Sequence, residues 1–174
     1  MSYAKLSEHA FGSRKIAFVM KKRRSPGSQP RSSDSRRQPN ATAQGQYASL
    51  KAALSMHQRG LLDQAAVIYR ELLHSQPRNF DALQLLATIA VQRGNFAGAV
   101  ELFDKAIKIN ATDARTHYNR GVALCSLERF GEAIESCDRA LRIRSDYVEA
   151  HNSRGIALRG LKRFEESYRA TTEL

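Results

Sequence analysis

From Tyr47 onward, apolar side chains recur at three- and four-residue steps with charged and amide residues between them, the spacing that gathers them on one face of an α-helix. The pattern then repeats as a whole. The segments YASLKAALSMHQRGLLDQAAVIYRELLHSQP, FDALQLLATIAVQRGNFAGAVELFDKAIKINA, ARTHYNRGVALCSLERFGEAIESCDRALRIRS and VEAHNSRGIALRGLKRFEESYRATTEL align at a constant offset of 34 residues without gaps. Apolar residues recur at Leu62, Phe96, Phe130 and Phe164 and at Met56, Ala90, Leu124 and Leu158. Small residues recur at Ala53, Ala87, Gly121 and Gly155 and at Ala65, Ala99, Ala133 and Ser167. Two amphipathic faces per copy predict eight helices, near residues 47–59, 62–75, 79–92, 96–109, 113–127, 130–143, 147–160 and 163–174.

The breaks between these faces agree with that reading. Gly60 and Gly94 stand where the first helix of a pair must turn into the second, and Pro77 follows a helix that it can no longer disrupt. Asn79, Asp113 and Asp146 are placed to cap the next helices, with Glu149 three residues after Asp146 as an approximate capping box. Two helices approach to about 8 Å only where neither carries a large side chain, so Gly121 opposite Ala133 marks a close crossing inside the third copy. Ala106 and Ala140 extend the device to the next copy. Each pair keeps an apolar face that only a neighbouring pair covers, which predicts a stacked array.

The arrangement resembles the tetratricopeptide repeat family, whose unit has small residues at its eighth, twentieth and twenty-seventh positions and a proline near its end. Those places hold Ala53, Ala65 and Pro77 in the first copy, Ala87, Ala99 and Ala106 in the second, and Gly121, Ala133 and Ala140 in the third. Departures are Leu72 at the twenty-seventh place of the first copy, Ala111 and Ser145 for the proline, and Ser167 and Thr171 in the fourth copy. The resemblance implies an all-α fold, a right-handed solenoid of antiparallel helix pairs, with repeats at 46–79, 80–113 and 114–147 and an incomplete one at 148–174. It is similar in particular to the bacterial type in which such repeats precede an O-linked N-acetylglucosamine transferase domain.

The resemblance further implies that first helices line a concave groove for an extended peptide or partner helix. The matching positions are Gln84, Thr88, Tyr118, Asn119, Val122, Asn152, Ile156 and Arg159, which read equally as groove contacts or as an ordinary solvated face. A carboxylate clamp for chaperone C-termini needs Lys and Asn, then Asn, then Lys or Arg in successive repeats. The clamp places hold Leu50, Leu54, Leu85, Arg115 and Asn119 in one frame and Gln84, Thr88, Asn119, Glu149 and Ser153 in the other, so that partner class is not expected. The asparagine ladder of the transferases, at the sixth repeat position, has one rung, Asn119, among Lys51, Leu85 and Ser153. Two functions follow: a non-catalytic interaction scaffold, or the substrate-binding portion of a glycosyltransferase whose catalytic domain lies beyond residue 174.

Charge changes the picture only at the front. The net charge is +11, yet residues 1–45 hold ten Lys/Arg and two acids of the 28 and 17 in the chain, so most of the excess lies there. This Ser-, Pro- and Arg-rich segment lacks large apolar residues after Met20 and is predicted to be a disordered tail. It suits either electrostatic contact with nucleic acid or an anionic membrane, or a solvated leader. Its longest apolar run, Ile16–Met20, is too short for a signal peptide or a membrane span, and the break at Met20 leaves Met1 and Met20 as alternative starts.

No catalytic, cofactor or metal residues are nominated. The chain has no GxxxxGK[ST], GxGxxG, HExxH or GxSxG, and His117 and His151 are the same repeat position twice. The two cysteines are expected to stay reduced, as in a cytoplasmic protein, because the register displaces Cys125 from Cys137 by about 12 Å along the helix axes. Cys137 takes the core slot of Tyr69 and Phe103, and Cys125 is expected on the groove side; the last repeat either lacks a polar cap and offers a face for self-association, or is already capped by Ser167 and Thr171.

Overall fold

The computed structural model describes residues 41–172, with side chains left undescribed at 41–44, 46, 164 and 166–172. The expected tail therefore lies, as far as residue 40, outside the described residues, and so does the choice between Met1 and Met20. Seven helices and no strand make up the described part: α1 (Ala41–Gln58), α2 (Leu62–Ser75), α3 (Phe80–Gln92), α4 (Phe96–Ile109), α5 (Ala114–Ser126), α6 (Phe130–Ile143) and α7 (Val148–Thr172). Helices α2 to α6 fall within one residue of the predicted bounds, while α1 begins at Ala41, ahead of the expected 47.

The turns inside the pairs show why. At the same register position, Gly60 takes φ 78 and Gly94 takes φ 73, the left-handed break that ends a helix where a side chain is disfavoured. In the third copy Glu128 takes that place at φ 59. A non-glycine residue pays about 1 kcal/mol or more for it, and the packing of α6 back on α5 offsets the cost. In the fourth copy the position is Lys162, and the helix runs on. The predicted pair 147–160 and 163–174 is thus one helix, α7, because Lys162, unlike a glycine, does not favour the left-handed break in its hydrogen-bond ladder.

Capping follows the same register with one correction. The Oδ1 of Asn79 accepts from the Ala82 amide at 3.0 Å, and Oδ2 of Asp113 accepts from Thr116 at 2.8 Å. Asn95 caps α4 in the same manner, from the Gly98 amide at 3.0 Å. Asp146 is exposed instead of capping, since α7 opens at Val148 and the register place of Asn79 and Asp113 belongs to Tyr147.

Packing is driven by the small residues. Ala53, Ala65, Ala87, Ala99, Ala106, Ala133 and Ala140 are all 0 % exposed. A Cβ on Gly121 would lie 2.9 Å from Cys137 Sγ and 3.3 Å from the Ala133 carbonyl oxygen, so the predicted crossing exists and requires glycine. The core divides into neighbouring groups around Tyr69 and Ile89, around Phe103 and Leu124, and around Tyr118 and Tyr147, as expected of a solenoid.

Polar contacts repeat with the same period. Arg120 Nε donates to Asp104 at 2.6 Å, and 34 residues later Arg154 Nε donates to Asp138 at 2.6 Å, tying each second helix to the next first helix. Leu86 and Arg70 hold those places at the first junction, so it lacks the pair. Likewise Nε2 of His117 donates to the Ala111 carbonyl at 3.0 Å and Nε2 of His151 to that of Ser145 at 2.9 Å, fastening both inter-repeat loops.

Candidate functional site

Helices α3, α5 and α7 are the first helices of successive repeats and carry all eight candidate groove residues. The structure places them in very different surroundings. Gln84 is 2 % exposed, and its amide is engaged on both sides. Its Nε2 donates to Asp113 Oδ2 at 2.9 Å and to Thr116 Oγ1 at 2.7 Å, while Oε1 accepts from Arg115 Nη2 at 2.7 Å. Thr116 in turn donates to Asp113 at 2.6 Å, so Gln84 belongs to a closed network joining α3 to the start of α5. Thr88 is half-buried and donates to the Gln84 carbonyl at 2.9 Å.

On α5 the candidates are deep. Tyr118 is packed against Tyr147, with ring centroids 5.0 Å apart, and the Arg144 guanidinium lies over the Tyr147 ring at 3.3 Å from its centroid. Burial raises the hydroxyl pKa of Tyr118, with the neighbouring Tyr147 and Glu149 adding to it, and burial likewise pushes Tyr147 up to about 12. Both phenols are neutral near pH 7. Val122 lies beside Tyr118 in the same buried group. Asn119 is 6 % exposed, and its side-chain amide has no hydrogen-bond partner among the described residues. On α7, Asn152 and Arg159 are exposed and Ile156 is half-buried. Arg159 turns its Nη1 to 3.8 Å from where a Cβ on Gly155 would stand.

Sequence reasoning missed Tyr147 as a neighbour of this site. Its signal was the offset of 34, which sets residue 147, not Asp146, in line with Asn79 and Asp113. The expectation that Cys125 faces the groove is corrected: it is 6 % exposed and packs with Ala123, Leu124 and Phe130, because α7 closes over that part of α5. Cys137 is 0 % exposed, in the core slot expected for it. Both thiols are free, and burial pushes Cys125 up to about 11 and Cys137 to about 12, so neither supplies a thiolate near neutrality.

Two clefts open elsewhere. One is lined by Arg70, Leu86, Ile89, Arg93 and Leu102, and the other by Arg129, Phe130, Glu132 and Leu161, where α7 passes the start of α6. Neither contains a candidate groove residue. Among the described residues no group of three or more His, Cys, Asp or Glu is placed to hold a metal ion, and no helix is long and apolar enough to cross a membrane.

This framework of small-residue crossings and stacked helix pairs has sequence and structural relatives. The tetratricopeptide repeat profile matches residues 50–114 and 86–148, more than half of the chain, and the protein belongs to the tetratricopeptide repeat family. Among solved structures, the first such domain of Spaghetti (RPAP3), bound to an HSP90 peptide, is 21 % identical with a TM-score of 0.66, over 68 % of this chain and 94 % of that one. A mutant of the Thermobaculum terrenum O-GlcNAc transferase is 28 % identical with a TM-score of 0.64, over 70 % of this chain but 23 % of the transferase. The MamA protein is 20 % identical with a TM-score of 0.66, over 76 % of this chain and 72 % of its own. No curated protein sequence matches the chain.

Proposed function

We propose that the array is a non-catalytic interaction scaffold that holds an extended peptide or a partner helix against the first-helix face of α3, α5 and α7. The observation that carries this is Asn119: its side-chain amide has no hydrogen-bond partner among the described residues and is not one of the fully buried unpaired groups, so it reaches solvent with donor and acceptor both available to the backbone of a bound peptide. Thr88, Asn152 and Ile156 stand on the neighbouring first helices and are exposed or half-buried, which leaves them available to the same ligand, whereas Gln84, Tyr118 and Val122 are buried and support the face from beneath in this reading. A chaperone C-terminus is not the favoured ligand despite the fold shared with the RPAP3 domain. Leu54 and Leu85, at clamp positions, are buried apolar side chains that offer neither a cation nor an amide.

The test is affinity for a peptide selected from a displayed library on the 174-residue chain, read by fluorescence anisotropy. Asn119→Ala is expected to weaken binding by about tenfold with helix content unchanged. Undiminished affinity would remove the groove assignment.

The 28 % identity to the O-GlcNAc transferase favours a second reading, in which these repeats present substrates to a glycosyltransferase domain encoded further along. Reading the coding frame past Leu174 decides it. A stop codon followed by unrelated sequence excludes the transferase.

A further inference from the structure

We infer that α7 is one half of a helix exchange between two copies of this chain. In the first three repeats the eighth position is sealed by the second helix of the same repeat: Ala53 and Ala87 are 0 % exposed, and Gly121 touches Ala133 and Cys137. The fourth copy differs. Gly155 is only half-buried, and a Cβ there would find among the described residues nothing but the Arg159 guanidinium at 3.8 Å. On the same helix Leu158 is 42 % exposed and Val148 is 64 % exposed.

The helix that would cover this face is present in the chain but in the wrong place. Residues 163–172 continue straight from 148–160 in one 25-residue helix, about 37 Å long, and a straight helix cannot fold back on itself. The repeat register nevertheless assigns Ser167 the place of Ala65, Ala99 and Ala133, the small residue that meets the eighth position. A second copy supplies that segment. In the third repeat the crossing of Gly121 with Ala133 is centred on Leu127, and one period later the centre is Leu161. Two α7 helices running antiparallel about a two-fold axis level with residue 161, on the side of the helix away from the core packing of Leu161, set residues 163–172 of each copy on the Gly155 face of the other. Each copy then completes the fourth repeat of its partner, and the interface is self-complementary.

The hinge controls the alternative. A closed monomer needs Lys162 in the left-handed conformation of Gly60 and Gly94, whereas the exchanged dimer keeps it helical. Sedimentation equilibrium of the 174-residue chain across the micromolar range is expected to show a concentration-dependent dimer. Lys162→Gly, which eases the turn and weakens the straight helix, should raise the dimer dissociation constant at least about tenfold. Gly155→Leu, which blocks the close crossing, should abolish the dimer with unchanged far-ultraviolet circular dichroism. A monomer at every concentration, or a dimer that Lys162→Gly does not weaken, overturns the proposal.

Discussion

Glu128 holds a left-handed backbone that its neighbours in register, Gly60 and Gly94, adopt without a side chain. A Glu128→Gly substitution is therefore expected to stabilise the fold by about 1 kcal/mol, raising the thermal midpoint by roughly 3 °C. Thermal circular dichroism measures it, and an unchanged or lower midpoint would contradict the argument. His57 is a second residue whose surroundings set its behaviour. It is buried beside Tyr69, its Nε2 lies 3.1 Å from Gln92 Oε1, and its Nδ1 has no partner among the described residues. Burial lowers its pKa below 6.5, against a smaller opposing effect of the Gln92 hydrogen bond. The unfolded chain thus takes up the proton first, so the stability tied to neutral His57 is intact above about pH 6.5 and declines as pH falls below it. Urea midpoints at pH 7 and pH 5 are expected to differ, and His57→Gln is expected to reduce that difference. A slope unaltered in the variant would exclude His57 as its source. At this scale Gly60, Gly94, Asn79 and Asp113 were legible because their work is done within one turn of chain.

At the scale of elements, helix bounds from α2 to α6 could be read from periodicity, since an amphipathic face and its punctuation are both local. The crossing of α5 and α6 was legible too. Replacing Gly121 with Val drives methyl groups into Cys137 Sγ and the Ala133 carbonyl, at a cost of about 2 kcal/mol in the urea denaturation free energy. A loss under a few tenths would mean that the helices move apart freely. The paired links Arg120–Asp104 and Arg154–Asp138 were not foreseen, although both copies stand in the sequence. An ion pair between helices of different repeats is invisible until the stacking direction is known. The continuity of α7 was missed for a related reason: the repeat pattern persists through residues 161–164, and it is the single Lys162 in the glycine place that decides against the turn.

For the whole molecule, the sequence by itself determined the class of architecture. Helix pairs at a fixed period and small residues at each crossing follow from spacing along the chain, because one repeat contacts only its neighbours. The surroundings of the site were decided by tertiary structure alone. Tyr118, Asn119 and Val122 read as open groove positions on their own helix, yet α5 lies between α3 and α7 and all three become buried. Gln84 looks like a free amide until Arg115, Asp113 and Thr116 arrive from the next repeat. Cys125 turns inward by the same packing. A side chain's face follows from its own helix, but its access to solvent depends on what the neighbouring repeats bring against it.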